Sequence, residues 1–338
     1  MLTDDAVRNF YHGKKVVVTG AGGFIGHHLA KELAACGAQV RALVKYNSQS
    51  DIGLLSKIDP ELLKQIAIEF GDVRDLRMME KLIKSSEVVF HLAALIGIPY
   101  SYVAPGEYVS VNISGTLNIL EAVKREGAGR CIVTSTSETY GSAQYAPMDE
   151  VHPLQAQSPY AATKIAADQL ALSYYRSFNT PVGVIRPFNT FGPGQSLRAV
   201  IPTIVVQMLR KSPSIRIGST FPVRDFNYVA DTVAGFLRMG CADNIEGNVI
   251  NIASGRGVTI GEVYELAKKL IGYQGRMICE EERIRPDKSE VVKLIGKASL
   301  AKELLGWSSK VPFEQGLEKV IECFRDNPNQ HNLSRYTV

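Results

Sequence analysis

The sequence has little of what marks a disulfide-stabilised, membrane-spanning or nucleic-acid-binding protein. Its five cysteines are odd in number and include no Cys-x-x-Cys pair, so neither a disulfide framework nor a zinc site is expected. No run of roughly 18 apolar residues occurs, which argues against a transmembrane helix. The 38 basic and 34 acidic residues leave a net charge of +4, too weak and too dispersed to indicate nucleic-acid binding. We therefore expect no metal, membrane or nucleic-acid partner.

The beginning of the chain also lacks the apolar stretch of a secretory signal. Residues 1–11 form a polar segment that includes Asp4, Asp5 and Arg8, unlike a signal peptide. The unpaired cysteines favour a reducing compartment, so we expect a cytoplasmic protein. The remaining composition, 45% hydrophobic and 21% charged, is that of an ordinary globular protein, and the length indicates about two domains.

Short β-branched runs alternate with helical patterns through the first half of the chain. The alternation predicts a doubly wound α/β fold, that is, a parallel Rossmann sheet with helices on both faces. The predicted strands are 14–19, 39–44, 66–70, 87–92, 130–135 and 182–185, and the predicted helices are 27–36, 76–84, 115–126 and 159–178.

The second half has a different texture, because proline and glycine become frequent over 187–222 and the alternation is lost. The change predicts two domains: a larger one over 1–186 and about 228–253, and a smaller, discontinuous α/β domain over about 187–227 and 254–338. The predicted elements here are a return to the sheet at 232–239 and 247–252, helices at 260–271, 297–305 and 313–325, and a frayed tail from 327.

A glycine-rich loop joins the first predicted strand to the first predicted helix. Gly20, Gly23 and Gly26 follow one another at three-residue spacing, with Phe24 and Ile25 between the last two. In this setting the first glycine permits a tight turn, the second lets the backbone approach a pyrophosphate, and the third lets the helix pack on the strand. The helix N-terminus then faces the phosphates. The pattern predicts a binding site for NAD or NADP.

The end of the second predicted strand indicates which of the two is bound. An acidic residue there usually holds the ribose diol of NAD. This chain instead has Lys45, Asn47 and Ser48, with Arg41 upstream and no carboxylate before Asp51. A cation beside hydroxyl and amide donors suits the 2′-phosphate of NADP. We therefore favour NADP, and NAD remains the alternative.

A tyrosine and a lysine stand one helical turn apart after Pro159. Tyr160 and Lys164 are spaced i, i+4, so one face of the predicted helix carries both. An ammonium group beside a positively charged nicotinamide lowers the pKa of a phenol and makes it a usable base. The pair therefore indicates a proton-transfer site next to the dinucleotide.

The loop and the pair together resemble the extended short-chain dehydrogenase/reductase family, whose members commonly act on nucleotide sugars. The likeness runs from about Lys14 to Pro312 and includes segments 91–94, 111–112 and 186–189. It implies that the larger domain binds NAD(P) and that the smaller domain binds a nucleotide sugar. The further expected cofactor contacts are Asp72 and Val73 at the adenine edge, from their position after the third strand, and, from the resemblance, Leu92, Ala93, Ala94 and Asn112.

The triplet Thr136-Ser137-Glu138, at the end of the fifth predicted strand, separates groups within that family. The family's simple 4-epimerases have no acid at the Glu138 position, whereas its 4,6-dehydratases and its UDP-glucuronate decarboxylases have one. Dehydratases acting on dTDP-glucose have aspartate before that glutamate, and GDP-mannose dehydratases have serine, as here. Ser137 therefore leaves the proton donor to O6 open.

Two longer segments resemble one subgroup. Residues 91–108 and 153–179, together with 46–48 and 224–229, are similar to configuration-retaining 4,6-dehydratases that act on UDP-N-acetylglucosamine in legionaminic-acid-type bacterial pathways. The resemblance implies a UDP-sugar substrate, with GDP- or dTDP-sugars as alternatives.

The resemblance also implies roles for individual residues. Tyr160 takes the 4-OH proton with help from Lys164, Thr136 orients O4, Glu138 removes the C5 proton, and Glu138 or Ser137 assists loss of water from C6. The nucleotide sugar is expected to be bound mainly by residues in the second half of the chain. The expected substrate contacts are Ile98 and Tyr100 at the hexose, Asn189 after a strand end, Val200 at the nucleobase, and Arg224 and Arg285 at the diphosphate.

Three alternatives stay open at this stage. A nucleotide-sugar 4-epimerase and a UDP-glucuronate decarboxylase use the same scaffold, and a non-catalytic NADP-binding regulator is the alternative outside enzymes. The last is disfavoured because Tyr160, Lys164 and Glu138 are all present. The resemblance further implies a homodimer joined through the helices at 115–126 and 159–178.

Overall fold

Thirteen strands are present in the computed structural model, which describes residues 4–325. Seven of them form one parallel sheet in the order β10-β6-β5-β4-β1-β2-β3. The strands are β1 (Lys15–Thr19), β2 (Gln39–Lys45), β3 (Ile66–Gly71), β4 (Val88–His91), β5 (Arg130–Thr134), β6 (Val182–Pro187), β7 (Asn189–Phe191), β8 (Ser214–Ile217), β9 (Val223–Tyr228), β10 (Val249–Ile252), β11 (Gly257–Thr259), β12 (Arg276–Cys279) and β13 (Lys293–Leu294).

Helices cover both faces of this sheet. The parallel strands are apolar on both sides, as in β1, where Val16, Val17 and Val18 are all fully buried. The α-helices are α1 (Asp4–Tyr11), α2 (Phe24–Ala35), α3 (Pro60–Leu63), α4 (Leu76–Ile83), α5 (Ile98–Val103), α6 (Pro105–Tyr108), α7 (Gly115–Glu126), α8 (Pro159–Phe178), α9 (Val200–Leu209), α10 (Val229–Cys241), α11 (Ile260–Ile271), α12 (Ser299–Leu305) and α13 (Phe313–Arg325).

The sheet order fixes where ligands bind. The chain winds outward from β1 in one direction through β2 and β3, and in the other through β4, β5 and β6. The order reverses between β1 and β4, and in such sheets the ligand crevice lies outside the carboxyl ends of the strands at that point. The doubly wound fold predicted from the sequence is therefore confirmed.

The smaller elements lie beyond this sheet. Strand β9 pairs with β7, β11 and β13, and β8 pairs with β12. The C-terminal part is fastened to α10 through Asp231, whose backbone carbonyl accepts the indole N–H of the buried Trp307 at 2.8 Å. The Asp231 carboxylate also accepts the Lys310 and Val311 amides. The proposed domain boundaries themselves remain a prediction.

Most predicted elements are present, with one clear error. Helices α7, α11 and α13 have the predicted bounds, and α2 begins at Phe24, three residues earlier than expected. The prediction that 232–239 returns to the sheet is wrong, because this apolar run lies inside helix α10, and β10 alone makes the return. A short apolar run fits a buried helix as well as a strand. The predicted tail from 327 lies outside the described residues.

Candidate active site at the carboxyl edge of the sheet

The glycine loop is packed so closely that it has no room for a Cβ at Gly20 or Gly26. Gly20 has φ +70°, and a Cβ built there would lie 2.8 Å from the Ala93 backbone nitrogen. A Cβ on Gly26 would lie 2.2 Å from the Gly20 carbonyl oxygen. Gly23 precedes α2 in an extended conformation and provides no side-chain cap for the helix. The loop, continuing through Phe24 and Ile25, thus fits a dinucleotide pyrophosphate at an open helix N-terminus.

The residues at the end of β2 and just after it match only part of the predicted site for the ribose 2′-phosphate. Lys45 and Ser48 are exposed there, whereas the Asn47 amide holds the turn, since its oxygen accepts the Asp51 N–H and its nitrogen donates to the Asp51 carbonyl, both at 2.8 Å. Arg41 is not available for a 2′-phosphate. Its Nη2 pairs with Glu69 on β3 at 2.6 Å.

The segment after β3 carries the two residues expected at the adenine edge. The Asp72 carboxylate accepts hydrogen bonds from the Arg74 backbone and guanidinium, and the hydrogen bond from that side chain is the main reason its pKa is lowered. Val73 is buried, and it would lie 2.7 Å from a Cβ placed on Gly115. Asp72 therefore lies directly after β3 at the carboxyl edge of the sheet, and Val73 packs against the start of α7.

A network of buried hydroxyl and amide groups fixes the loop after β4. The Thr19 hydroxyl accepts the amide N–H groups of Leu92 and Ala93 at 3.1 Å each. His91, which bonds Thr19 on one side and Thr116 on the other, is buried, and burial lowers its pKa to about 3. This histidine is therefore a neutral structural group. Ala94 lies on the same loop.

The Asn112 side chain holds this loop in place through hydrogen bonds to other residues of the protein. Its amide oxygen accepts the Leu95 N–H at 2.8 Å, and its amide nitrogen donates to the Leu95 carbonyl and to the Thr163 hydroxyl. Asn112 is 1% exposed. It therefore connects the loop after β4 to helix α8 instead of presenting its amide to a ligand.

Tyr160 and Lys164 lie together on the first turns of α8. Ser158 caps the helix, its hydroxyl accepting the Ala161 N–H at 3.1 Å, and Pro159 occupies the first turn. The Lys164 ammonium donates to the Thr134 carbonyl at the end of β5 at 2.5 Å. Both side chains are buried. Burial raises the pKa of Tyr160 well above its ordinary value and lowers the pKa of Lys164.

The triplet after β5 is brought to the same place. A single 3₁₀ turn, Ser137–Tyr140, follows β5, and the Thr136 hydroxyl caps it by accepting the Glu138 N–H at 3.3 Å. The Thr136 side chain interacts with the Tyr160 phenol and opposes the rise in its pKa. Ser137 is 3% exposed, and the Glu138 side chain is 12% exposed. Hydroxyl, phenol and carboxylate thus converge at this edge.

Two arginines from the second half of the chain face this carboxylate. Arg285 Nη1 lies 3.9 Å from Glu138 Oε1 and 4.0 Å from Glu290 Oε1, and it is buried without a hydrogen-bond partner. Arg224 Nη2 donates to Glu290 at 3.0 Å, and its Nη1 donates to the Val291 carbonyl. Burial lowers the pKa of Arg224, and the Glu138 charge opposes that effect.

Of the other expected sugar contacts, Ile98 and Tyr100 lie beside Tyr160. Ile98 is buried at the start of α5 and forms an apolar cluster with Tyr160, against which Tyr100 packs. The Asn189 side-chain oxygen is buried and accepts no hydrogen bond within the described residues. Val200 is half-buried at the first position of α9.

Sequence reasoning missed three residues that the fold gathers here. Glu290, from the far end of the chain, pairs with Arg224, and nothing in its local sequence marks it. Tyr108 packs edge-on against Tyr160 with ring centroids 6.2 Å apart. Asp168 lies one turn after Lys164, a spacing that could have been noticed in the sequence.

Residues 4–325 contain neither a metal-binding cluster nor a membrane-spanning helix. No three histidine, cysteine or acidic side chains in this range are grouped so as to hold a metal ion. Within the same range no helix is both long and apolar enough to cross a membrane.

Comparison with known proteins gives the family. The family described as GDP-mannose 4,6 dehydratase matches residues 17–320. A mouse dTDP-D-glucose 4,6-dehydratase is 30% identical over 332 residues, covering 93% of this chain and 89% of its own. A UDP-glucuronate 4-epimerase from Thermodesulfobacterium geofontis is 29% identical, covering 92% and 96%. UDP-glucuronic acid decarboxylase 4 of Arabidopsis thaliana is also 29% identical, covering 92% and 68%.

Solved structures agree with this assignment. A UDP-glucose 4-epimerase from Thermotoga maritima, solved with UDP-glucose, has a TM-score of 0.81 at 30% identity and covers 92% of this chain and 99% of its own. A UDP-glucuronic acid 4-epimerase variant from Bacillus cereus, solved with a UDP-sugar analogue and NAD, has a TM-score of 0.84 at 28% identity with the same coverage. The chain therefore belongs to the extended short-chain dehydrogenase/reductase family of nucleotide-sugar dehydratases and epimerases.

Proposed function

We propose that this protein is an NAD(P)-dependent nucleotide-sugar 4,6-dehydratase that converts UDP-N-acetylglucosamine into its 4-keto-6-deoxy derivative. The observation that carries the proposal is the position of Glu138. Its carboxylate is largely buried at the ligand edge, on the short turn that Thr136 caps, and the Thr136 side chain interacts with Tyr160. A second base beside the phenol is what elimination needs and what a simple 4-epimerase does not use.

The first step is proton removal at O4. The Tyr160 phenolate accepts the 4-OH proton, and the neighbouring Lys164 ammonium stabilises that phenolate. Thr136 keeps its hydroxyl hydrogen for Tyr160 or for O4, because its oxygen accepts the Glu138 amide. Burial raises the pKa of Tyr160 in the ligand-free chain, so positive charge nearby is required to bring the phenol into use.

The second step is elimination of water. A ketone at C4 acidifies the C5–H bond, and the Glu138 carboxylate takes that proton. The C6 hydroxyl leaves as water with a proton from Glu138 or from Ser137, and a proton returns to C5. Each assisted proton transfer contributes about 10²–10⁴-fold to the rate.

The dinucleotide would be held by the glycine loop from Gly20 to Gly26, by the loop after β4 and by the Tyr160–Lys164 pair. NAD(P)⁺ supplies reversible hydride acceptance, from C4 and back to C6, so it is not consumed. We propose NADP as the preferred form, because the end of β2 offers the exposed Lys45 and Ser48 and no carboxylate before Asp51. The loss of Arg41 to Glu69 leaves Lys45 as the cation for the 2′-phosphate.

Lys45→Ala tests this preference. We expect the Kd for NADP to rise roughly fivefold, as for one exposed ion pair, while the Kd for NAD changes by less than about twofold. Fluorescence titration of both dinucleotides measures the two constants, with Lys57→Ala as an exposed control. Equal changes for both dinucleotides would remove Lys45 from the ribose site.

The nucleotide sugar is proposed to lie between the two halves of the chain. Arg224 and Arg285 suit the diphosphate, because guanidinium groups match phosphate geometry. Arg285 Nη1 is buried and makes no hydrogen bond within the described residues, which supports this role. Asn189 is proposed to accept a substrate hydrogen bond, Val200 to border the nucleobase, and Ile98 and Tyr100 to contact the hexose. A UDP-sugar is proposed first, with GDP- and dTDP-sugars as alternatives.

Arg285→Ala measures the diphosphate contact. We expect KM for the nucleotide sugar to rise roughly 10- to 100-fold, the loss expected for a charge-assisted hydrogen bond, with a smaller effect on kcat. The matched control is Lys288→Ala, an exposed cation three residues later. Arg224→Ala should act in the same direction with an added loss of stability, since Arg224 also holds the Val291 carbonyl. An unchanged KM in Arg285→Ala would exclude this arginine from the site.

The alternatives are a UDP-glucuronate decarboxylase and a 4-epimerase. Relatives of both kinds match at 29% identity, and decarboxylases of this family also carry the Thr-Ser-Glu triplet. The mass of the product separates the three, because dehydration removes water, decarboxylation removes carbon dioxide and epimerisation removes nothing. Homodimerisation through α7 and α8 and a cytoplasmic location remain predictions.

A further inference from the structure

Helix α8 carries a third polar side chain in line with Tyr160 and Lys164. Asp168 follows Lys164 by four residues, just as Lys164 follows Tyr160, so all three lie on one face of the helix. Asp168 is fully buried. Burying a carboxylate this deeply in a protein interior costs folding free energy unless the charge is paired and hydrogen-bonded.

The Asp168 carboxylate has two partners on one of its oxygens. Oδ2 accepts the Ser135 hydroxyl at 2.6 Å and the Arg186 guanidinium at 2.7 Å. Arg186 is also buried, and its guanidinium lies 4.6 Å from the centre of the Tyr140 ring. The other oxygen, Oδ1, is buried and has no hydrogen-bond partner within the protein.

Three consecutive residues at the end of β5 meet the three polar side chains of α8. The Thr134 carbonyl accepts a hydrogen bond from Lys164, the Ser135 hydroxyl donates one to Asp168, and the Thr136 side chain interacts with Tyr160. Asp168 therefore belongs to the same row of contacts that holds the proposed acid–base pair, although it lies too far down the helix to reach a substrate.

We propose that Asp168 is a positioning residue that keeps the buried Lys164 side chain protonated and holds the end of β5 against helix α8. This inference rests on the proposed roles of Tyr160 and Lys164. It does not depend on whether the enzyme eliminates water afterwards.

The charges around Lys164 support this role. Burial lowers the pKa of Lys164, and the Asp168 carboxylate raises it again. His91, which faces the lysine from β4, is neutral because burial lowers its pKa to about 3. Tyr160 lies on the same helix, and Arg186 is paired with Asp168 itself. Without Asp168, Lys164 would lose its proton at a lower pH and would no longer support a phenolate.

A direct titration of the lysine tests the proposal. Protein labelled with ¹³C at lysine Cε is titrated by NMR, and Lys164→Met identifies the resonance. In Asp168→Asn we expect the Lys164 midpoint to fall by about one pH unit or more. Asp168→Glu, which keeps the charge, should restore most of it, and Ser135→Ala, which keeps the carboxylate, should leave it nearly unchanged. An unchanged midpoint in Asp168→Asn overturns the proposal.

A second variant covers the case in which Asp168→Asn does not fold, because it leaves Arg186 buried without a counter-ion. Asp168→Asn combined with Arg186→Gln removes the pair as a whole. A downward shift of the midpoint is still expected, but a smaller one than in Asp168→Asn, because the Arg186 charge that partly offset the carboxylate is also removed. The basic limb of the pH profile for cofactor reduction by a nucleotide sugar should move with the midpoint. A merely structural role would lower the rate and leave that limb in place. A wild-type product that retains its water would refute the dehydratase proposal and leave this comparison valid.

Discussion

Replacing Glu138 with glutamine is expected to stop the release of water while leaving the oxidation at C4 intact. The amide keeps the size of the side chain and cannot accept the C5 proton, so the yield of 4-keto-6-deoxy product should fall about 10²–10⁴-fold. Reduction of the bound cofactor on mixing with the nucleotide sugar should persist, because Tyr160, Lys164 and Thr136 are unchanged. Rapid-mixing absorbance measures the reduction, and chromatography measures the product.

The matched control for this variant is Glu107→Gln. Glu107 is an exposed carboxylate on α6, 3.4 Å from Arg74, and its removal should leave both signals at the wild-type level. Formation of the 4-keto-6-deoxy product by Glu138→Gln at nearly the wild-type rate would show that Glu138 is not the C5 base.

Tyr160→Phe should abolish both signals, because no hydride leaves C4 while O4 keeps its proton. We expect the rate of cofactor reduction to fall about 10²–10⁴-fold, as for loss of a general base. Wild-type protein should lose activity as the pH falls, because the phenol must be deprotonated and burial already raises its pKa. Single-turnover absorbance over a range of pH values measures both effects.

Tyr273→Phe is the control for loss of a phenol hydroxyl elsewhere. The Tyr273 hydroxyl donates to the Ser212 carbonyl at 2.7 Å, far along the chain from the proposed site, and its removal should leave the kinetics unchanged. Dinucleotide binding by Tyr160→Phe should also remain. Cofactor reduction by Tyr160→Phe at more than a tenth of the wild-type rate would contradict the assignment of the base.

The sheet could be predicted from the sequence because each of its strands has a recognisable local sequence pattern. Runs such as 15–19 are β-branched, end at glycine or polar residues and alternate with amphipathic helices. The run at 232–239 carries no such distinction, because an apolar segment of that length packs equally well as a helix. Its state is decided by what it covers, which is information that the local sequence does not contain.

The same distinction applies to the candidate site: residues in local motifs could be predicted, and residues whose partners are distant in the sequence could not. Tyr160 and Lys164 are found from their i, i+4 spacing, and the glycine loop from its spacing and its strand–helix setting. The suggestion that Arg41 helps to bind a 2′-phosphate was wrong, because Arg41 pairs with Glu69, which lies 28 residues away on the neighbouring strand. Glu290 was missed for the same reason, since its arginine partner Arg224 lies 66 residues earlier in the chain.

The most direct test is to incubate the purified protein with a panel of nucleotide sugars that includes UDP-N-acetylglucosamine carrying deuterium at C4. The dehydratase account predicts a product lighter by one water, with the deuterium transferred to C6 and no net consumption of cofactor. A product of unchanged mass with an inverted C4, or one that has lost carbon dioxide from a UDP-glucuronate in the same panel, would contradict it.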